Sequence, residues 1–338
     1  MKKLLLLVAV VILALPLAAR ERERSTLLTT DGTLYVVDAV PVQMEDGTLS
    51  GTERLVLTTR RGEESRQEIV PASFADGVHR DAAMAYDNES GTLFVFWVRQ
   101  ATIMHSELLF AFRDHEGTWS DAATFGDPFD YREHLRIAIT NRVGDSKDDT
   151  LSRGTCIHVV WWELDTHTGT EAARYAMLPI DNGVLGEISF LDLGEFATGD
   201  PAPADKQVDL SVLKQPMLFN GGRDDSVLVV FGDEATKRFH EVRVRPIFKI
   251  SENGRLRVPI GRREGGFDSP NFGVGSNSQI GAIYRDSDNL AFYTQEANQL
   301  RFVVRENGTW STAKSTTLDA QVTTADALSA IRKLLNLN

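Results

Sequence analysis

Two short polar stretches carry the residues best suited to chemistry in this chain. They are His79-Arg80-Asp81 and Arg132-Glu133-His134, each combining a guanidinium, a carboxylate and an imidazole. Further along, Asp268 supplies a third carboxylate, and the pair Tyr284-Arg285 adds a phenol and another guanidinium. Carboxylates serve as general acids, bases or nucleophiles, and arginines grip planar anions through a two-pronged fork. Brought into one ring, such a mixture suits a carbohydrate or a small anionic ligand. Arg80, Arg132, His134, Asp268 and Arg285 are then the ligand-binding candidates. Asp81, Glu133 and Tyr284 would be the catalytic set if the protein is an enzyme, and Asp81, Glu133 and Asp268 make up an alternative triad of carboxylates.

Other chemistries find no support in the sequence. It has no His-Glu-x-x-His, no paired Cys motif, no Gly-x-Ser-x-Gly and no phosphate-cradling Gly-Lys-Ser or Gly-Lys-Thr loop. The acidic stretches Asp145 to Asp149 and Arg223 to Asp225 lack the ordered ligand spacing of a calcium loop and read as solvated loops. No metal and no cofactor is expected. Cys156 is the single cysteine, set in the apolar stretch Cys156 to Trp162, so it reads as a small buried hydrophobe; His158 in that stretch should satisfy a backbone carbonyl.

The elements that must position these residues follow from a repeated pattern. Dense β-branched and aromatic runs begin at Gly32, Gly91, Gly154, Asp225 and Ser278, spaced by 59, 63, 71 and 53 residues. A short apolar segment precedes each run: Leu27 and Leu28, Ala82 to Tyr86, Leu135 to Ile139, Pro216 to Phe219, and Phe272 to Val274. An alternating strand follows each run, and a more variable strand closes the unit. Four short strands per period of this length predict radially stacked four-stranded sheets. The near-continuous apolar character of the second strands fits sheets covered on both faces. The fold class is therefore all-β: a single β-propeller of five blades over residues 20–319, or six if a divergent blade lies in the Pro-containing stretch Phe196 to Gln215.

The turn before the fourth strand is the most specific signal. Asp114-His115-Glu116-Gly117-Thr118-Trp119-Ser120 and Arg305-Glu306-Asn307-Gly308-Thr309-Trp310-Ser311 occupy the same place in two units. Glu-Gly and Asn-Gly permit a positive φ at a tight hairpin, and Thr-Trp then buries an indole. These two turns resemble the Asp-box, Ser-x-Asp-x-Gly-x-Thr-Trp, of sialidases and related propellers, although neither has the leading Ser. The resemblance implies a propeller fold. It also implies an alternative activity, a sialidase-like glycoside hydrolase, in which Arg80, Arg132 and Arg285 would hold a carboxylate beside Asp81, Glu133 and Tyr284. The Arg-Ile-Pro tripeptide usual in that family is absent from Leu27 to Val40. With the fold's turns present and no catalytic motif, the sequence favours a non-catalytic binding or scaffold protein for glycans or another protein.

Compartment and partners complete the reading. Met1-Lys2-Lys3, the 16-residue uncharged run Leu4 to Ala19 and the small residues at its end predict a signal peptide over 1–19. The run is shorter than a bilayer span of roughly 18 to 20 residues, so no stable membrane span should remain after cleavage and the protein should be exported, to a periplasm or beyond. A net charge of −12 argues against nucleic acid. A final amphipathic helix is expected over 323–337, capped by Thr324, with Leu328, Ile331, Leu334 and Leu335 on one stripe.

Overall fold

A computed structural model describes residues 25–336 except 72, 74–76, 103, 126–129, 144–153, 170, 182–183, 187, 192–212, 221–225, 234–236, 251–256, 266–268, 275–278, 287 and 320–321. The expected signal peptide, Asp268, the acidic stretches near 145 and 223, and most of the Pro-containing stretch lie outside the described residues.

The described chain is mostly β. Its strands follow one another into five antiparallel sheets. The first holds β1 (Ser25–Leu28), β2 (Leu34–Gln43), β3 (Leu49–Arg61) and β4 (Glu64–Ile69). The second holds β5 (Val78–Asp87), β6 (Thr92–Gln100), β7 (Ser106–Arg113) and β8 (Ala123–Phe125). In the third are β9 (Tyr131–Val143), β10 (Gly154–Leu164), β11 (Glu171–Asp181), β12 (Val184–Leu185) and β13 (Ser189–Leu191). The fourth comprises β14 (Leu213–Asn220), β15 (Val227–Asp233), β16 (Arg238–Ile250) and β17 (Arg257–Gly265). The fifth comprises β18 (Gln279–Asp286), β19 (Asn289–Glu296), β20 (Gln299–Glu306), β21 (Thr309–Trp310) and β22 (Lys314–Thr317), and α1 (Thr324–Leu334) follows.

Alternation along the second strands explains the stacking. On β6, Leu93, Val95 and Trp97 pack with Tyr35, Val37, Leu55 and Leu57 of the first sheet, whereas Phe94, Phe96 and Val98 pack with Ile157, Val159 and Trp161 of the third. On β10 the opposite residues, Cys156 and Val160, meet Val227 and Val229 of the fourth sheet. Val230 of that sheet faces Leu290 and Phe292 of the fifth. Side chains of a strand point alternately to the two faces, so a strand between two sheets must be apolar throughout. The first strands touch in succession, β1 to β5, β5 to β9, β9 to β14 and β14 to β18. Sequential sheets of four or five strands stacked face to face, with their first strands in mutual contact, form a β-propeller arrangement. The first strands begin at what we term the upper end, where loops from fourth to first and from second to third strands gather.

The two Trp-containing turns lie at the lower end and are built alike. Gly117 has φ +90°, and Asn307 and Gly308 have φ +50° and +78°. Ser120 Oγ accepts from Phe112 N–H at 3.0 Å, and Ser311 Oγ from Val304 N–H at 3.1 Å. Trp119 packs against the core between the first two sheets and donates to Glu68 at 3.0 Å, while Trp310 packs beside Phe292.

The fifth sheet departs from the expected layout. The segment read as its second strand is its first, β18, and the second is β19, where Leu290, Ala291 and Phe292 are buried on both faces. The turn that separates them is an Asx turn, with Asp286 Oδ1 accepting from Asp288 N–H and Asn289 Nδ2.

The helix is capped one residue earlier than expected. Thr323 and Asp326 form a reciprocal capping box: Thr323 Oγ1 accepts from Asp326 N–H, and Asp326 Oδ2 accepts from Thr323 N–H. Ala327, Ile331 and Leu335 are its buried stripe, against Ala291, Leu300 and Val304, whereas Leu334 is exposed. The helix thus covers the face of the fifth sheet turned away from the fourth. At the other end of the stack, the outer face of the first sheet carries Leu28, Val40 and Ile69, 69%, 41% and 39% exposed. Replacing Ile331 with Val should lower stability by about 1 kcal/mol. A urea midpoint indistinguishable from the parent's would show that the stripe is not packed.

Candidate functional site

The upper ends of β5, β9 and β14 share one irregularity. The pairing register skips between Arg80 and Ala83, between Glu133 and Arg136, and between Lys214 and Met217. Each skip is a β-bulge, which twists a strand and re-aims the residues at its end. Asp81 and His134 fill equivalent bulge positions and have φ +48° and +58°. A non-glycine residue in this left-handed region costs on the order of 1 kcal/mol. Asp81 Oδ2 accepts from His134 N–H at 2.7 Å, tying one bulge to the next.

This clamp brings Arg80, Asp81, Glu133 and His134 together at the upper end. The Glu133 carboxylate accepts from the Tyr131 hydroxyl and stands 4.0 Å from Arg80 Nη1 and 3.7 Å from His134 Nε2. The side chains of Arg80, Glu133 and His134 are 27%, 18% and 31% exposed, open enough to meet a ligand. Tyr131 also stands edge-on to Trp162, ring centres 6.3 Å apart. Tyr131 and Trp162 were not among the sequence candidates; their only signal is a pair of aromatic residues flanking the Arg132-Glu133-His134 triplet across the β9–β10 ladder.

The other candidates go elsewhere. Arg132, expected to bind ligand, is 2% exposed. Its Nε donates to Glu163 at 2.9 Å, Nη1 to the Ser106 carbonyl at 2.9 Å and Nη2 to Asp130 at 3.3 Å. Glu163 in turn accepts from Trp161 Nε1 and Arg174 Nε, both at 3.0 Å. Arg132 is therefore a structural fastener beneath the mouth. Strand alternation is the reason: neighbouring residues face opposite ways, so Arg132 points inward when Glu133 points out.

Tyr284 and Arg285 end β18 at the lower end, away from Arg80 and Glu133, because β18 is a first strand. Tyr284 stacks on Phe219 at 5.2 Å, and burial raises its phenol well above the ordinary range, so it is no ready nucleophile. Arg285 donates to the Leu335 carbonyl at 3.3 Å at the C-terminus of α1. Asp268 lies outside the described residues.

His158 meets hydroxyls instead of a carbonyl, Thr140 Oγ1 at 2.8 Å and Tyr175 OH. Cys156 is fully buried, and burial pushes its thiol well above the usual range. Among the described residues no group of three or more His, Cys, Asp or Glu could hold a metal ion, and no helix is long and apolar enough to cross a membrane.

No family model matches the chain, and no curated protein matches it. Solved structures similar to it include the polysaccharide lyase Uly1, 11% identical over 88% of this chain with a TM-score of 0.38; this chain spans 58% of that protein's length. The GH43 endo-arabinanase from Bacillus licheniformis is 12% identical, with 89% of this chain and 95% of that one covered and a TM-score of 0.34. A GH43_1 enzyme from Xanthomonas citri, complexed with xylotriose, is 11% identical, with 89% of each chain covered and a TM-score of 0.35.

Proposed function

We propose that the chain is an exported five-bladed β-propeller whose upper mouth binds a neutral glycan without cleaving it. The five sheets are its blades, and α1 stands where a closed ring would bring the first blade against the fifth. The observation that carries the reading is the balance of charge at the mouth. Arg80 faces Glu133, and the guanidinium of Arg132 is committed to Glu163 and Asp130, so among the described residues no cluster of arginines is offered to an anionic sugar. Among the described residues the mouth presents a carboxylate, an imidazole, a guanidinium and the Tyr131 phenol, hydrogen-bonding partners for hydroxyl groups beside an aromatic edge.

A hydrolase needs two carboxyl groups flanking the scissile bond, one of them a proton donor. Asp81 instead clamps the His134 backbone, and Tyr284 stands at the far end, which weighs against the sialidase-like alternative. An array of neutral and anionic oligosaccharides, together with a panel of aryl glycosides, tests the reading. Saturable binding of a neutral glycan without turnover is expected, weakened roughly tenfold or more by Glu133→Ala and unchanged by Tyr284→Phe. Turnover lost in Glu133→Ala would replace binding with hydrolysis, and silence across the array would remove the glycan.

A further inference from the structure

Toward the lower end, between β1, β5, β9 and β14, lies a half-open cavity of about 370 Å³, a volume within the range of small-molecule sites. Each of these strands ends its sheet: among the described residues a second strand pairs with one of its edges and no strand with the other. The cavity is lined by residues of these four strands and of the turns after β1 and β5, and by none of a second strand, so the free edges border it. A free strand edge carries main-chain N–H and C=O groups without a ladder partner. Four such edges put donors and acceptors on the walls. The exposed Thr30 hydroxyl and Asn88 amide add to them at the rim, where Thr30 Oγ1 donates to Asn88 Oδ1 at 3.4 Å. Met84, Ile137 and Phe219 supply hydrocarbon between the polar groups. Among the described residues none that lines the cavity is charged, in contrast to the upper mouth. An ionic guest would lose hydration there without meeting a counter-charge, and a wholly apolar guest would strip water from the strand edges and leave their groups unpaired. A ring with hydroxyls on its rim and C–H groups on its faces satisfies both kinds of wall.

We propose that this cavity is a second binding site, separate from the glycan mouth, for one neutral polyhydroxylated ring. Its hydroxyls pair with the strand edges, Thr30 and Asn88, and its C–H faces lie against Met84, Ile137 and Phe219. Glucose, glucuronate and cyclohexanol, three six-membered rings that differ in charge and hydroxylation, test it by titration followed with saturation-transfer NMR. The full chain carries Glu133→Ala throughout, so that the upper mouth is weakened. One saturable glucose site per molecule is expected, with glucuronate and cyclohexanol each bound about tenfold more weakly or worse. Adding Asn88→Ala should weaken glucose roughly threefold to tenfold, and Thr30→Val, which removes only the hydroxyl, should act in the same direction. Thr48→Ala, at an exposed turn outside the cavity, should leave it unchanged. Absence of glucose binding in Glu133→Ala, equal affinity for the three rings, or equal losses for Asn88→Ala and Thr48→Ala would each overturn the proposal. The reading of the upper mouth fails on a different result, glycan binding by the parent that Glu133→Ala leaves intact.

Discussion

Between pH 4.5 and 6.5 the buried Glu241 and His158 drive the stability of this protein in opposite directions, and replacing either singly with Gln will tilt the pH profile toward the slope of the other. Glu241, 4% exposed on β16, is raised by burial from the ordinary 4.5 to about 7 against the pull of Arg243 and Arg305, with Asp288 adding to the rise. Among the described residues its Oε2 has no hydrogen-bond partner, and the same holds for Arg243 Nε and Tyr284 OH. A raised carboxyl gives stability that is complete below about pH 4.5 and lost as the pH climbs through about 7. His158, fully buried, is lowered from 6.5 to about 3 by burial. Its contribution is complete above about pH 6.5 and lost as the pH falls toward 3. In the overlap the folded chain holds one proton on Glu241 that the unfolded chain has released, and refuses one on His158 that the unfolded chain holds. The slopes cancel. Glu241→Gln leaves the histidine alone, so stability will fall by about 1.4 kcal/mol per pH unit on acidification. His158→Gln will give the reverse slope. The exposed carboxyls lowered by neighbouring threonines, among them Asp31 and Asp165, titrate below this window. Urea midpoints measured across the window decide the matter; two level profiles, or two tilts of the same sign, would refute the assignment.

Glu163→Ala will be among the most damaging single substitutions, costing about 3–5 kcal/mol. It strips the buried Arg132 of its closest carboxylate and also orphans Trp161 Nε1, which donates to the same oxygen. Part of the cost is the desolvation of a guanidinium left with only the longer Asp130 pairing and the Ser106 carbonyl, so Arg132→Met combined with Glu163→Ala should recover much of it. That rescue separates a buried pair from a ligand-gripping arginine. Circular dichroism melts of the parent and the two variants make the comparison, and a double variant no better than Glu163→Ala would point instead to a direct packing role for Arg132.

The general plan was legible because the second, third and fourth sheets repeat the same short grammar, a turn signal, a near-continuously apolar second strand and a third strand after it. The two Trp turns were legible for the same reason, since their hydrogen bonds span only a few residues. What sequence could not provide was register. Reading β18 one strand too late sent Tyr284 and Arg285 to the wrong end of the molecule, because a sheet's second strand is identified by burial on both faces, a property that Leu290 to Phe292 acquire only from neighbours distant in the chain. Within the triplet Arg132-Glu133-His134 the residue types were visible, but which one turned outward was not: the bulge that sets it depends on β10 and on Asp81, more than 50 residues away. Tyr131 and Trp162 become partners only through the same long-range ladder.

The placement of α1 bears on how the molecule is made. Its three anchoring residues follow all five sheets in the chain, so a nascent chain with the sheets formed still presents Ala291, Leu300 and Val304 bare until α1 emerges. Termination between Thr317 and Ala327 would release five sheets with one adhesive flank, and clumping of such products, rather than loss of any single contact, would be the first symptom.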